Sequence, residues 1–212
     1  MSSPRDTRAS VLVFARAPVA GAVKTRLAPV LGAAGAARLH ARMVKIALRT
    51  ATSAARTVEL HCFPHTRQTF FRHASRRCGV NLHAQTGGDL GARMLHAMRI
   101  ALRRSRLVVL IGSDCPGLRP ADLRAALRAL HSGASAVFSP AEDGGYALIG
   151  LRRISARLFE DIDWGGAEVM AQTRARMREL GWRWKELRAV WDVDRPEDVA
   201  RLRTLRPLAR RK

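Results

Sequence analysis

The apolar positions follow two alternating rhythms along the chain. Short strand-like runs, apolar throughout or alternating apolar with polar residues, occupy 10–15 (SVLVFA), 57–63 (TVELHCF), 80–85 (VNLHAQ), 106–112 (RLVVLIG), 134–140 (ASAVFSP) and 145–151 (GYALIGL). Runs of this length bounded by polar or turn-forming residues predict buried strands. Between and beyond them, apolar residues recur at helical spacing over 33–55, 66–77, 89–105, 119–133, 166–180 and 195–205. In 89–105, Leu90, Met94, Leu95, Met98 and Leu102 share one helical face. Pro120 stands early in the 119–133 helix, and Gly133 is its natural stop. The stretch 182–187 (WRWKEL) alternates as a half-exposed strand. Only a few residues separate 134–140 from 145–151, so this pair reads as a hairpin.

Strand–helix alternation predicts an α/β fold in three layers, with a mostly parallel mixed sheet covered by helices on both faces. Ligands of such sheets bind at the carboxyl ends of the strands, near a topological switch. No repeat, low-complexity linker or compositional shift divides the chain. It is therefore read as one domain over 1–212, with a core of about 10–205 and a basic tail at 206–212.

Composition narrows the function classes. A 212-residue chain with 47% hydrophobic residues can bury a substantial core. No apolar run approaches the roughly 18 residues of a membrane span, and the apolar segment 11–15 is too short for a signal-peptide core. The reading is a soluble cytoplasmic protein. Cys62, Cys78 and Cys115 are odd in number and widely spaced, which predicts reduced thiols rather than a disulfide framework. The net charge of +21 admits nucleic acid or a phosphate-rich substrate as partner. Only four of the 38 cations are lysines (24, 45, 185 and 212), and the arginines spread over putatively solvated helix faces. A non-catalytic, basic nucleic-acid-binding protein is therefore kept only as a lesser alternative, and a nucleic-acid partner is disfavoured.

The strand-end loops carry the candidate chemistry. After the first strand, ARAPVAGAVKTRLAPVLG (15–32) offers Arg16, Gly21, Lys24, Thr25 and Arg26. A glycine-containing loop with several cations can wrap a diphosphate or triphosphate, though it is neither a Walker A loop nor G-x-G-x-x-G. The alternative is an ordinary basic surface loop. In QTGGDLGARM (85–94), Gly88 permits close backbone approach, Asp89 suits a helix cap, and Arg93 lies one turn into the helix, within reach of an anion. In VLIGSDCPGL (109–118), Asp114 stands at the tip of the most apolar strand, where a carboxylate suits a hard divalent cation. It can equally cap the turn. Cys115 lacks a histidine in a comparable strand-end motif and is disfavoured as a nucleophile. SPAEDGGYALIGL (139–151) places Asp143 in a glycine turn. In VWDVDRPEDV (190–199), Asp192 and Asp194 alternate on one face of an extended segment, and one of them can join Asp114 in holding Mg²⁺. Alternatively, Asp194 caps the last helix.

Together, FARAPVAGAVKTRLAP, GGDLGARM, IGSDCPGL, PAEDGGYALIGL and DVDRPED, in this order over 11 to about 200, resemble the radical-SAM/selenodomain-associated transferase family. These arsenosugar-biosynthesis-type glycosyltransferases belong to the nucleotide-diphospho-sugar transferase superfamily of glycosyltransferase-A, Rossmann-like fold. Against that family's usual pattern, Ala20 replaces a proline, Ala22 a basic residue, Arg195 a threonine and Gly165-Gly166 a Ser or Thr. The resemblance implies a nucleotide site at the end of strand one and a metal ligand at Asp114. It implies a second ligand at Asp194, with Asp192 as fallback. On this reading Arg16, Lys24 and Arg26 hold phosphates, and Asp143 contacts hydroxyls or acts as a base. The activity implied is an Mg²⁺- or Mn²⁺-dependent transfer from a nucleotide sugar to a small-molecule acceptor. The alternative is a nucleotidyltransferase that uses a nucleoside triphosphate and releases pyrophosphate.

Overall fold

The computed structural model describes residues 9–202. Seven strands form one sheet: β1 (Ala9–Arg16), β2 (Thr57–Phe63), β3 (Asn81–Ala84), β4 (Leu107–Ile111), β5 (Ala136–Pro140), β6 (Tyr146–Leu151) and β7 (Trp184–Glu186), in the order β3-β2-β1-β4-β6-β5-β7. β3, β2, β1 and β4 are mutually parallel, whereas β6 runs antiparallel to both β4 and β5. The hairpin predicted from the short 141–145 spacing is thus present. The expected α/β three-layer fold is observed, with six helices: α1 (Ala28–Thr52), α2 (Thr69–Cys78), α3 (Leu90–Leu102), α4 (Pro120–His131), α5 (Val169–Glu179) and α6 (Pro196–Leu202). Residues 203–205 of the last predicted helix and the tail 206–212 lie outside the described residues.

The continuous apolar strands follow from burial on both faces. In β1, Val11, Val13 and Ala15 face one core with side chains of α1, α2 and α4, while Leu12 and Phe14 face a second core with α3 and α5. Phe138 of β5 is fully buried in the second core. Burying such a side chain contributes roughly 1.5–3 kcal/mol. A third, smaller cluster joins Leu27, Met43, Ile46, Val193 and Leu202, tying the segment after β7 to the start of α1. The helical path of α1 breaks at Gly32 (φ 67°, ψ 159°), a conformation that favours glycine, so its long part begins where the pattern placed it.

The chain steps outward from β1 through β2 to β3, then returns to the other side of β1 as β4. That reversal opens a crevice between the carboxyl ends of β1 and β4, the place where such sheets receive ligands.

A buried polar cluster sits on the sheet away from that crevice. The Glu59 carboxylate accepts from His61 Nε2 at 3.2 Å and from the Arg104 guanidinium at 2.9 Å, with His83 Nε2 at 3.5 Å. Burial alone would raise the Glu59 pKa, but the His61 hydrogen bond and the charges of His83 and Arg104 hold it below its ordinary 4.5. Burial holds His61 below its ordinary 6.5, with Glu59 partly opposing. Both groups therefore bind protons more readily in the unfolded chain. Their stabilisation is present above the unfolded pKa values and is lost as pH falls, first for His61 below about 6.5 and then for Glu59 below about 4.5. Urea titrations are expected to show unfolding free energy declining from pH 7 towards pH 4. In Glu59→Gln the lower part of that decline flattens; an unchanged slope would contradict this account.

Candidate active site at the β1–β4 crevice

Three loops converge on the crevice. The loop after β1 turns at Gly21 (φ 79°) and reaches Lys24, which precedes a 3-10 turn at Thr25–Leu27. Lys24 itself is left-handed (φ 49°, ψ 41°), a conformation costing a non-glycine residue roughly 1–2 kcal/mol. Leu27, fully buried, anchors the turn, and its N–H donates to the Lys24 carbonyl at 2.9 Å. The result aims Lys24 inward: its side chain is 7% exposed, against 71% for the nearby Arg26. Such over-determined strain is a feature of functional sites.

The second loop follows β4 and carries Asp114. The third follows β7, and one backbone bond fixes it: the Val193 N–H donates to the Asp114 carbonyl at 3.0 Å. Val193 is fully buried, and the acids on either side of it, Asp192 and Asp194, are left partly exposed. Asp194 does not cap the last helix. Asp198, in the first turn of α6, reaches back to accept from the N–H groups of Asp194 and Arg195 at 3.0 and 2.7 Å. Asp194 instead pairs with the Arg26 guanidinium.

The Lys24 ammonium lies between the two acids, 3.0 Å from Asp114 Oδ1 and 3.8 Å from Asp194 Oδ1. His40 of α1, which no strand-end motif signalled, completes the floor. Its Nε2–H donates to the Arg16 carbonyl at 3.0 Å, which leaves Nδ1 facing Asp114 Oδ1 at 3.8 Å. Burial, against the opposing pull of Asp114, keeps His40 below the ordinary imidazole range. His40 Nδ1 and Asp114 Oδ1 are both buried, and neither has a hydrogen-bond partner among the described residues. Two buried acceptors facing each other favour a cation nearby.

Asp143 accepts from the Gly145 N–H at 2.9 Å in the β5–β6 turn. That turn is held close: Gly144 (φ 90°) packs against the Ala167 carbonyl, and the Met170 N–H donates to the Gly144 carbonyl at 2.8 Å. Asp143 is near enough to act on the neighbouring acids electrostatically. Burial first, then the Asp143 charge, raises the pKa of Asp192. Burial, with Asp114, Asp192 and Asp143, pushes the Cys115 thiol well above its ordinary value. A thiol so held is inert as a nucleophile.

The remaining residues frame the crevice. Arg93 donates to the Gly87 and Gly88 carbonyls at 3.1 and 3.2 Å, and its guanidinium lies 4.3 Å from the Phe63 ring centre. Arg16 stacks near the same ring at 4.9 Å. Asp89 caps α3, accepting from the Ala92 N–H at 2.7 Å. Thr25 and Gly88 are exposed. Glu142 is committed elsewhere, in a two-pronged pair with Arg201.

Among the described residues no three His, Cys, Asp or Glu side chains form a closed metal cage. Asp114 and Asp194 nevertheless fit a hard divalent cation, which takes few protein carboxylates and completes its shell with phosphate oxygens and water. The buried Asp114 Oδ1, met by the Lys24 ammonium at 3.0 Å, is the atom such an ion would satisfy. Because the folded site disfavours ionised Asp192, Asp192→Asn is expected to raise the thermal midpoint at pH 7. The gain should fade in acid, where the wild-type carboxyl is itself protonated. A lower midpoint at pH 7 would contradict it; differential scanning calorimetry decides.

The family model described as an uncharacterized protein conserved in bacteria (DUF2064) matches residues 43–166, more than half of the chain. No curated protein matches. Among solved structures, a candidate nucleotide-diphospho-sugar transferase from Desulfovibrio desulfuricans G20 superposes with a TM-score of 0.85 at 30% identity, covering 95% of this chain and 93% of that one. At 9% identity, 4-diphosphocytidyl-2C-methyl-D-erythritol synthase from Anaerococcus prevotii DSM 20548 shares the fold, with a TM-score of 0.61 over 91% of this chain and 94% of its own. So does glucosyl-3-phosphoglycerate synthase from Mycobacterium tuberculosis, solved with Mn²⁺, uridine diphosphate and glucosyl-3-phosphoglycerate. It is 12% identical, with a TM-score of 0.55 over 92% of this chain and 75% of its own. No described helix is long and apolar enough to cross a membrane. The chain belongs to the DUF2064 family and has the nucleotide-diphospho-sugar transferase fold.

Proposed function

We propose that this chain is a divalent-metal-dependent transferase that takes a glycosyl group from a nucleotide-diphospho-sugar and passes it to a small-molecule acceptor. One observation carries the reading: a buried lysine, aimed by a strained backbone, meets two carboxylates from separate loops at the sheet's ligand crevice. The likeness to the D. desulfuricans structure supports a nucleotide-sugar donor. The five sequence blocks support the radical-SAM-associated branch of these transferases.

Each residue has a role that its chemistry suits. Lys24 and Arg26 bind the donor's diphosphate and offset the negative charge that grows on the leaving nucleoside diphosphate. Arg16 and Arg93, beside Phe63, line the crevice margin. Asp114 and Asp194 would hold Mg²⁺ or Mn²⁺, which would supply Lewis-acid stabilisation of the leaving diphosphate's charge. His40, through its bond to the Arg16 carbonyl, ties α1 to the end of β1. Asp143 orients the acceptor hydroxyl or takes its proton.

A second reading, in which a nucleoside triphosphate is attacked at the α-phosphorus, fits the same phosphate-binding cations and carboxylates, and the fold is shared with a nucleotidyl transferase from Methanothermobacter. Phosphorus NMR of the products separates the two: a nucleoside diphosphate signals glycosyl transfer, and pyrophosphate signals nucleotidyl transfer.

A thermal-shift panel of nucleotide sugars and nucleoside triphosphates, with and without Mn²⁺, tests the proposal. A ligand of the folded state raises the midpoint in a concentration-dependent way. At least one nucleotide is expected to stabilise the protein only with Mn²⁺, and Asp114→Asn is expected to lose that shift while unfolding at a similar temperature. A metal-dependent shift that survives Asp114→Asn would overturn the metal assignment.

A further inference from the structure

The Lys24 ammonium stands on the same oxygens that a divalent cation would need. It contacts Asp114 Oδ1 at 3.0 Å and lies 3.8 Å from Asp194 Oδ1. A cation joining these two carboxylates would bind their oxygens at about 2.1 Å. It would then lie against the ammonium, and like charges at such range in a partly dry crevice repel strongly. The turn gives Lys24 no easy retreat towards water. Its backbone is fixed by the 3-10 turn, Leu27 is buried beneath it, and its side chain is almost wholly enclosed. Arg26 reinforces the arrangement by pairing with Asp194 from the outer side.

Resting on the metal–nucleotide reading above, we infer that Lys24 is a displaceable counter-ion that gates the metal. Ammonium and divalent cation exclude each other on the Asp114–Asp194 pair. The lysine compensates both acids until a polyphosphate arrives. The phosphate oxygens then offer the ammonium a better partner, draw it off the carboxylates, and release those oxygens to the incoming ion. Metal and nucleotide therefore bind together, and free divalent cations bind poorly. One side chain serves as plug before binding and as phosphate ligand after it. The left-handed backbone at Lys24 fits this dual use, because it holds the stem in place while only the flexible end has to move.

The test measures Mn²⁺ binding to the full chain without nucleotide, by the loss of the free-ion electron paramagnetic resonance signal. Lys24→Met, and Lys24→Gln as a second variant, are expected to bind Mn²⁺ at least about tenfold more tightly than wild type, since a repelling charge is gone. Lys24→Arg should restore weak binding. With inorganic pyrophosphate added, wild type should gain Mn²⁺ affinity far more than Lys24→Met does. Unchanged or weaker Mn²⁺ binding in folded Lys24→Met and Lys24→Gln overturns the gate. If wild type nevertheless takes up Mn²⁺ with pyrophosphate in an Asp114-dependent manner, only the gate falls and the parent reading stands. If wild type takes up neither, both fall.

Discussion

The contact between Lys24 and Asp114 sets the terms for everything around it. A partly buried carboxylate oxygen without a hydrogen bond is costly unless positive charge lies close by. This chain supplies that charge from a residue ninety positions away, held in a backbone conformation that non-glycine residues rarely adopt. The sheet makes the meeting possible. Because β1 and β4 are neighbours while β2 and β3 lie outside them, the loops bearing Lys24 and Asp114 open into the same crevice. The Val193–Asp114 backbone bond then brings a third loop and two further acids to the same point. Burial, with the charges of Asp143 and Asp194, disfavours ionised Asp192, and the Lys24 charge offsets part of that.

Much of this was legible in the sequence, and the reasons differ by feature. A strand buried on both faces reads as a continuous apolar run, so 106–112 stands out and β4 falls on it, whereas 57–63 shows as alternation, with β2 packing Val58, Leu60 and Cys62 into one core and burying Glu59 and His61 on its other face. Acids at the tip of such strands are conspicuous, which brought Asp114 forward. The pairing of Asp192 and Asp194 about an apolar residue also follows from strand-like alternation. His40 was not legible. On the helix it reads as one more polar position in an alanine-rich stretch, and its role comes from the approach of α1 to the ends of β1 and β4. The inward aim of Lys24 was hidden for a similar reason. The loop composition announces cations, but only the left-handed turn separates the enclosed lysine from the exposed Arg26. Nor does a sequence show that Asp198 reaches back to the Asp194 and Arg195 N–H groups while Asp194 turns to Arg26, since both acids stand near the helix start.

The fold does not choose the chemistry. The same fold is found in 4-diphosphocytidyl-2C-methyl-D-erythritol synthase and in glucosyl-3-phosphoglycerate synthase. Function on such a fold lies in side chains grafted onto strand-end loops. Here those loops supply carboxylates and cations in near balance within the crevice, although the chain as a whole carries a charge of +21. That local balance sets the crevice apart from the strongly basic rest of the molecule.

The central claim is that Asp114 and Asp194 receive a divalent cation together with a nucleotide diphosphate. Crystals grown with Mn²⁺ and uridine diphosphate, measured at the manganese absorption edge, address it directly. The account predicts one dominant anomalous peak within bonding distance of Asp114, bridged to diphosphate oxygens, with the Lys24 ammonium moved onto the phosphates. A diphosphate bound with no anomalous peak at Asp114, or a peak with Lys24 still seated between the two acids, would contradict it.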